Sequence, residues 1–332
     1  PHAQLPLALT DRQVMTPPRD PHGIGVSFPC ARSLAQLACD FGGDTTQPHV
    51  LVDNVAAPKY ANHRSLVPIF RASALKNLRD AAAVLVSPEL VDKAHGYAPW
   101  RHPFAQFALA HLLTTLAPQR HPPTRSPHAI IENGVALGKD VTIGHGAVIL
   151  AGAVLGDACI IEPRAVIYGS VRLGQRVLIG AGAVIGRPGF GWASGPDRQR
   201  IRMPQLGGVE IEDDVEVGPL ATVDAGTLKP TRLRKGCKLD AHVHVGHNVE
   251  VGQYTLVAAQ SGFAGSATIG NHVLIGGQVG VADHVTVGDC TKIAGKSGVI
   301  GPIPAQSVVA GYPAVSRLRW LRAVATLMRG RS

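Results

Sequence analysis

Aliphatic side chains recur at every sixth position over the C-terminal two thirds of the chain. One series occupies Ile131–Ile185 without a miss, a short second series occupies Ile211–Val223, and a third occupies Leu233–Val299. A period of six fits neither the 3.6-residue period of a helix nor the two-residue alternation of a long strand. It predicts strands of a few residues separated by regularly spaced turns.

Three such units make one triangular coil, and stacked coils pair as parallel strands about 4.8 Å apart. The recurring aliphatic side chain then points inward, and the small residue that follows it, such as Gly138 or Gly144, lets the corner turn tightly. We therefore predict a mainly β protein with a parallel β-helix over residues 129–312. The handedness of the coil does not follow from the period.

The repeat is interrupted twice. Residues 187–208 read RPGFGWASGPDRQRIRMPQLGG, with several glycines, two aromatic residues and four arginines. Residues 229–232 (KPTR) make a shorter break. Long excursions from a regular solenoid are commonly functional, so we expect the first of them to lie near a binding site.

The flanking segments have other patterns. We predict an N-terminal arm over residues 1–28, a small α/β domain over 29–118, a linker over 119–128 and a basic C-terminal helix over 313–332. The α/β prediction rests on helix-like stretches (CARSLAQLACDFGG and PFAQFALAHLLTTLA) that alternate with strand-like ones (HVLVDNV and AAAVLVSPEL).

Composition adds a few constraints. The net charge of +9 favours an acidic partner: nucleic acid, anionic lipid or an acidic carrier protein. Five scattered cysteines suit a reducing compartment better than a disulfide framework. No apolar run is long enough for a spanning helix, and no secretory signal is visible, so we expect a cytoplasmic protein without a transmembrane segment.

Histidines cluster at His242, His244 and His247, and His272 and His284 follow. They either decorate exposed turns, form a zinc site with a third ligand from another coil, or supply a general base. A zinc site lacks an obvious third ligand, because no histidine occurs between His145 and His242. We expect no metal.

The general-base hypothesis has a geometric counterpart. His247 lies two residues after the inward Val245, and Gly265 lies two residues after the inward Phe263. Because 18 residues make one coil, Gly265 should stack on the same corner as His247. Acyl transfer needs a base and an oxyanion donor, and an imidazole beside a glycine N–H supplies both.

At these residues the sequence resembles the UDP-3-O-(3-hydroxyacyl)glucosamine N-acyltransferases of lipid A biosynthesis, over roughly residues 30–320. The most specific segments are GRPGFGWA (186–193), MPQLGGVEIEDDVEVG (203–218), TVDAGTL (222–228), LDAHVHVGHNVEVG (239–252) and AGSATIGNHVLIGGQVGVADHVTVG (264–288).

The resemblance implies a left-handed coil and a uridine-binding role for the N-terminal domain. It implies transfer of a 3-hydroxyacyl chain, carried on the phosphopantetheine of acyl carrier protein, to the 2-amine of a UDP-3-O-acyl-glucosamine. No bound cofactor, no nucleic acid and a homotrimer with shared active sites are also implied. The residues implied are His247, Gly265 and His284 for catalysis; Asp240, His244, Asn248, Phe190 and Trp192 for substrate binding; and Gly298 and Ile300 for the acyl channel.

Two departures from the family pattern keep alternatives open. The segment corresponding to the family's uracil pocket places Pro68, Arg71 and Ala74 where Phe, Asn and Tyr are usual, and Ala225 replaces an Arg. The chain is therefore either the enzyme of that reaction or a paralogue that acylates another amino sugar. A coenzyme A-dependent acetyltransferase and a non-catalytic binding module are the remaining hypotheses.

Overall fold

The computed structural model describes residues 25–117 and 122–329, and the chain divides into two compact units between residues 120 and 121. The first unit is built on a six-stranded sheet in the order β1-β3-β4-β5-β6-β2. Its strands are β1 (Gly25–Ser33), β2 (Asp44–Thr45), β3 (Leu51–Ala56), β4 (Ser65–Ile69), β5 (Ala83–Val86) and β6 (Ala98–Arg101).

Strands β3 to β6 are parallel, while β1 and β2 pair antiparallel at the two edges. The helices are α1 (Leu34–Phe41), α2 (Ala72–Leu75) and α3 (Ala105–Leu116), with 3₁₀ turns at Pro58–Tyr60 and Pro88–Lys93. Helix α1 begins at a capping box in which Ser33 and Gln36 bond each other's backbone N–H.

Alternate strand residues pack on opposite sides of this sheet. On one side, Leu66 and Leu85 pack with residues of α1 and α3. On the other side, Val67 and Val84 belong to a separate apolar cluster. The sequence predicts an arm that includes residues 25–28, but in the structure these residues form the beginning of β1. The rest of that predicted arm and residues 118–121 lie outside the described residues.

The second unit is a left-handed parallel β-helix, as predicted, with three sheets as its faces. The first face contains β7 (Ile130–Ile131), β10 (Val148–Ile149), β13 (Val166–Ile167), β16 (Val184–Pro188), β21 (Thr222–Ala225), β24 (His244–Val245), β27 (Gly262–Phe263), β30 (Gly280–Val281) and β33 (Gly298–Val299). The second contains β8 (Ala136–Leu137), β11 (Val154–Leu155), β14 (Val171–Leu173), β19 (Val209–Ile211), β22 (Thr231–Leu233), β25 (Glu250–Val251), β28 (Thr268–Ile269) and β31 (Thr286–Val287).

The third face contains β9 (Thr142–Ile143), β12 (Ile160–Ile161), β15 (Leu178–Ile179), β20 (Glu216–Val217), β23 (Lys238–Leu239), β26 (Leu256–Val257), β29 (Leu274–Ile275), β32 (Lys292–Ile293), β34 (Val308–Ala310) and β35 (Val315–Ser316). From Ile143 to Val299 the periodic aliphatic residues form one continuous buried core, as predicted from the six-residue period. In the first coil Leu137 is only partly buried, and Ile131 is exposed. Phe263, the one aromatic member of the third series, is fully buried.

The excursion 187–208 leaves the coil without breaking the stack, since β14 pairs directly with β19 across it. It contains an antiparallel hairpin of β17 (Trp192–Ser194) and β18 (Arg200–Arg202), with a 3₁₀ turn at Pro196–Arg198 between them. Its return segment then bonds to residues 226 and 227, where the Leu206 and Gly207 N–H groups donate to the Thr227 and Gly226 carbonyls.

After the last coil, β34 and β35 pair antiparallel and lead into α4 (Arg317–Arg329). The predicted helix 313–332 therefore begins later than expected, because Val315 and Ser316 extend the third face. No helix in the described ranges is long and apolar enough to cross a membrane.

Candidate active site

The imidazole of His247 lies against Gly265. His247 is on the corner that follows β24, and Gly265 is on the same corner one coil further on. A β-carbon built on Gly265 would stand 2.5 Å from Cε1 and 2.6 Å from Nε2 of His247. Glycine at position 265 is therefore what leaves room for the ring, because any side chain there would displace it.

The backbone N–H of Gly265 has no acceptor among the described residues, and neither have those of His247 and Asp283 at the same position of the coils before and after it. On three corners that follow second-face strands, the N–H groups of Lys139, Gln175 and Asn271 instead donate to an aspartate on the following coil, at 2.7 to 2.8 Å. Asp283 stands at the corresponding place after Gly265, yet no described residue accepts the Gly265 N–H. This donor is left without a protein partner beside the imidazole.

The other side of the imidazole faces Asn248, which follows His247 in the chain. The Nδ1 atom of His247 and Oδ1 of Asn248 are 3.1 Å apart. The same Oδ1 accepts the backbone N–H of Thr227 at 3.0 Å. Asn248 therefore contacts the histidine and the loop after β21, and it does not line the groove described below.

A buried carboxylate completes the polar part of the site. Asp224 in β21 has a side chain only 1% exposed, and Nε of Arg187 lies 2.9 Å from its Oδ1 as an ion pair, off the direction of a hydrogen bond. His244 lies 3.8 Å from the other carboxylate oxygen and bonds Oγ1 of Thr222 through Nδ1 at 2.7 Å. Burial raises the pKa of Asp224, and the charges of Arg187, His244, His247 and Arg202 oppose that rise.

An apolar groove of about 530 Å³ runs from these residues along the first face. Its floor is a column of glycines, Gly262, Gly280 and Gly298, which pair directly from coil to coil. A β-carbon on Gly262 or Gly280 would meet nothing within 4 Å. At Gly298 the ring of Tyr312 occupies the space that a β-carbon would need, so Tyr312 closes that end of the column.

The structure brings most of the predicted residues to this groove. Its lining includes Phe190, His244, His247, Gly265, Gly298 and Ile300. Two residues that the sequence reasoning did not single out, Asp224 and Tyr312, line it as well. Asp224 lies in the quoted TVDAGTL motif, and Tyr312 lies between β34 and β35, but neither position carries a periodic signal that marks it.

Three predicted residues lie elsewhere within the chain. Asp240 follows β23 and lines a different groove of about 790 Å³, on the third face, together with Leu256, Leu274 and Lys292. Trp192 lies on the hairpin of the excursion, where the Arg202 guanidinium stands 5.9 Å from its ring.

His284 is the third of these residues. It touches the site only through its backbone N–H, which donates to the Gly265 carbonyl at 3.1 Å. Within residues 25–117 and 122–329, no three His, Cys, Asp or Glu side chains are grouped to hold a metal ion.

Comparison with known proteins identifies the same class of protein that the β-helix fold indicates. Residues 152–187 match the family of bacterial transferase hexapeptide repeats, and residues 129–163 match the hexapeptide repeat of succinyl-transferase. UDP-N-acetylglucosamine acyltransferase from Campylobacter jejuni superposes with a TM-score of 0.54 and 25% identity, over 58% of this chain and 74% of that one. The fold is that of a hexapeptide-repeat acyltransferase.

Relatives found by sequence identify the family within this class of acyltransferases. A UDP-3-O-acylglucosamine N-acyltransferase of Anaeromyxobacter sp. (strain Fw109-5) is 37% identical over 89% of this chain and 91% of its own length. One from Syntrophus aciditrophicus is 53% identical over a shorter stretch, 44% of this chain and 40% of its own. The chain belongs to the UDP-3-O-acylglucosamine N-acyltransferase family, and it is an N-acyltransferase, as its sequence predicted.

Proposed function

We propose that the protein transfers a 3-hydroxyacyl chain from acyl carrier protein to the 2-amine of a UDP-3-O-acyl-glucosamine, with His247 as general base. The observation that carries this proposal is the contact between His247 and Gly265 at the head of an apolar groove. The named relatives support the acceptor, since each is called a UDP-3-O-acylglucosamine N-acyltransferase.

The proposed chemistry uses the two groups in sequence. The neutral amine attacks the thioester carbonyl as Nε2 of His247 removes its proton, and a carbon–nitrogen bond forms. The carbonyl oxygen becomes an oxyanion and accepts a hydrogen bond from the free N–H of Gly265. The carbon–sulfur bond then breaks, and the departing phosphopantetheine thiolate takes the proton from the imidazolium, which leaves an amide and a free thiol.

The groove is the proposed acyl channel. The glycine column offers a floor without side chains, and Ile300 and Ala282 add apolar walls. A chain laid along it buries its methylene groups, each contributing about 0.8 kcal/mol. Tyr312 stands at the far end, so it is the residue that limits the length of the chain.

Asp240, Trp192 and His284 have proposed roles that need neighbouring molecules. The third-face groove that holds Asp240 is open in the single chain. In the proposed homotrimer this groove faces the first-face groove of the next subunit, so that Asp240 approaches His247 from across the interface. We propose that His284 contacts the thioester or the substrate phosphates, and that Trp192 on the excursion contributes to substrate binding.

Helix α4 is the proposed docking surface for acyl carrier protein. It carries Arg317, Arg319, Arg322 and Arg329, and none of its residues is buried. Acyl carrier protein is acidic, so opposite charges would speed its encounter with this helix. With a carrier-bound donor, we expect the reaction to take place in the cytoplasm.

A second acceptor is favoured by one observation. The uracil-pocket positions hold Pro68, Arg71 and Ala74. Beside them in the first unit is a groove of about 370 Å³ whose lining includes Phe70, Phe104 and Phe107. An aromatic pocket still suits the planar base of a nucleotide, which could stack on its rings. Because the residues at the uracil-pocket positions differ from those of the family, another amino sugar nucleotide is the alternative acceptor.

The test is a product assay. Purified protein is incubated with 3-hydroxyacyl carrier protein and UDP-3-O-acyl-glucosamine, and amide-linked product and free carrier thiol are measured by mass spectrometry. Parallel reactions contain other amino sugar nucleotides, or acetyl-coenzyme A as donor. The proposal expects equal amounts of amide and thiol from the first mixture. Product only with another acceptor would support the alternative, and turnover only with acetyl-coenzyme A would contradict both.

A further inference from the structure

The side chain of Asn248 has a fixed orientation. Its amide meets the backbone N–H of Thr227 at 3.0 Å, and a backbone N–H only donates. The atom at that place must therefore be Oδ1 and not the amide nitrogen. The same Oδ1 lies 3.1 Å from Nδ1 of His247, so an acceptor faces that ring nitrogen.

This orientation decides which nitrogen of His247 carries the proton. An acceptor opposite Nδ1 requires a hydrogen on Nδ1, and in the neutral imidazole Nε2 then has the free lone pair. Nε2 is the ring nitrogen nearer to Gly265: a β-carbon there would stand 2.6 Å from Nε2 and 3.1 Å from Nδ1. The lone pair is thus on the nitrogen next to the unpartnered N–H of Gly265, which is the arrangement a base needs there.

Asn248 is itself held from two directions. Its backbone N–H donates to Oγ1 of Thr231 at 2.9 Å, and its φ of 63° is a left-handed conformation that asparagine tolerates well. The hydroxyl of Thr227 lies 2.9 Å from Oδ1 of Asn248 and 2.8 Å from Oε1 of Gln205. The Thr227 hydroxyl has one proton, which it donates to Oε1 of Gln205. Oδ1 of Asn248 then accepts two hydrogen bonds, one from the Thr227 backbone N–H and one from Nδ1 of His247.

Gln205 anchors this arrangement to the excursion 187–208. Its side chain is 8% exposed, and its amide nitrogen donates to the Met203 carbonyl at 3.3 Å, which turns Oε1 towards Thr227. Backbone bonds from Leu206 and Gly207 to residues 227 and 226 fix the two segments together. The excursion therefore supports the histidine from outside the coil.

We propose that Asn248 is a positioning residue that holds His247 in the Nδ1–H tautomer, and that Gln205 and Thr227 hold Asn248. This inference rests on the proposed role of His247 as base, and it gives Asn248 a role other than substrate binding. It also gives the excursion a part in catalysis. Polar residues that orient a functional histidine through its second nitrogen commonly matter for activity.

The variants are chosen to keep the backbone conformation. Asn248→Gly removes the amide and tolerates a φ of 63°. Asn248→Asp keeps an acceptor for both donors. Lys296→Gly is the matched control, because Lys296 is exposed, has a φ of 58° on another corner and lies outside the groove. Thr227→Val removes only the hydroxyl, and Thr227→Ser restores it.

The first measurement needs no substrate. Nitrogen-15 NMR of labelled protein, with the His247 signals assigned through His247→Gln, reports which ring nitrogen carries the proton. We expect Nδ1–H in the wild type, Asn248→Asp and Lys296→Gly, and loss of that preference in Asn248→Gly. An unchanged tautomer in Asn248→Gly would overturn the proposal, whether or not the protein proves to be the proposed transferase.

The second measurement is steady-state transfer. We expect kcat to fall about 10- to 100-fold in Asn248→Gly with KM nearly unchanged, and to be largely kept in Asn248→Asp. Thr227→Val should lose less, and Thr227→Ser should recover it. A rise in KM for the acceptor with kcat unchanged would show that Asn248 binds substrate and would overturn the proposal. Absence of transfer in the wild type would contradict the proposed function and leave the NMR result to decide the tautomer.

Discussion

The ring of His247 occupies the space that a side chain at Gly265 would fill, one coil further along the same corner. Gly265 has no left-handed φ, so alanine suits its backbone and only the imidazole must move. We expect Gly265→Ala to lower kcat about 10²- to 10³-fold by displacing the base from the N–H donor, while the protein stays folded.

Circular dichroism and transfer kinetics test this prediction. Gly301→Ala is the matched control, because Gly301 stands on the same corner two coils on and a β-carbon there meets nothing within 4 Å. Equal activities for the two alanine variants would show that the contact with His247 is incidental.

Removing Arg187 should destabilise the protein in a pH-dependent way. Asp224 is 1% exposed, and Arg187→Met takes away its ion-pair partner, which we expect to cost about 2 to 3 kcal/mol at pH 8. Burial raises the pKa of Asp224, so the folded protein favours its protonated form. The protonated Asp224 carboxyl therefore contributes to stability below the ordinary pKa of aspartate, and this contribution is lost as the pH rises through the raised pKa of the folded protein.

The loss in Arg187→Met should therefore be smaller at pH 5 than at pH 8, because the unpaired carboxyl takes up a proton as the pH falls. Urea unfolding at both pH values measures it, with Arg187→Lys as the variant that keeps the charge. The same loss at both pH values would refute the assignment of the effect to the Asp224 charge.

Tyr312 should set the preferred length of the acyl chain. Tyr312→Ala opens the end of the glycine column, and we expect it to favour longer 3-hydroxyacyl donors by about fourfold per added methylene, or about 0.8 kcal/mol. Gly280→Leu should shift the preference towards shorter donors. The measurement is kcat/KM across donors of different length, with Tyr254→Ala, on another corner, as the control. An unchanged ranking in both groove variants would contradict the role of the column.

The five cysteines should divide into two classes. Cys159 and Cys237 are buried in the coil, and burial raises the pKa of Cys237 to about 12 and also raises that of Cys159. Cys30, Cys39 and Cys290 are exposed. We expect a thiol reagent at pH 8 to modify three cysteines in the native protein and all five in urea, and Cys290→Ser to reduce the native number by one. Rapid modification of all five without urea would contradict this burial.

Buried thiols also predict an alkaline limit to stability. The protonated form of Cys237 is favoured in the folded state, so its contribution is complete below the ordinary thiol pKa and is lost as the pH rises towards about 12. The free energy of unfolding should fall above about pH 9, by at most about 1.4 kcal/mol per pH unit for each such thiol. Cys237→Ala should show a shallower fall, and an identical slope would argue against this cause.

The periodic part of the molecule could be predicted from the sequence because each coil repeats the same physical requirement. An inward aliphatic residue every six positions places Ile143 and Phe263 in the core, and the 18-residue coil places Gly265 beside His247. The same reasoning also explains the placement of Asp240. It follows the strand before the one that leads to His247, and successive strands belong to different faces.

The remaining parts of the site depend on segments that leave the period. Arg187 lies opposite Asp224 in the β16–β21 pair, where the register shifts as the excursion 187–208 begins, and Tyr312 turns back onto Gly298 only after the last coil has ended. Neither contact joins residues separated by a whole number of coils. Stacking rules therefore could not predict them, and their positions required the three-dimensional structure.

The role of His247 as general base is tested by the single-turnover rate of amide formation by wild type and His247→Ala, with 3-hydroxyacyl carrier protein and UDP-3-O-acyl-glucosamine at saturating concentrations. Binding of the carrier protein is measured alongside, so that a lost step is separated from lost binding. We expect rapid transfer by the wild type and a rate about 10²- to 10⁴-fold lower in the variant, with carrier binding retained. A variant rate within tenfold of the wild-type rate would contradict the assignment of His247 as the base.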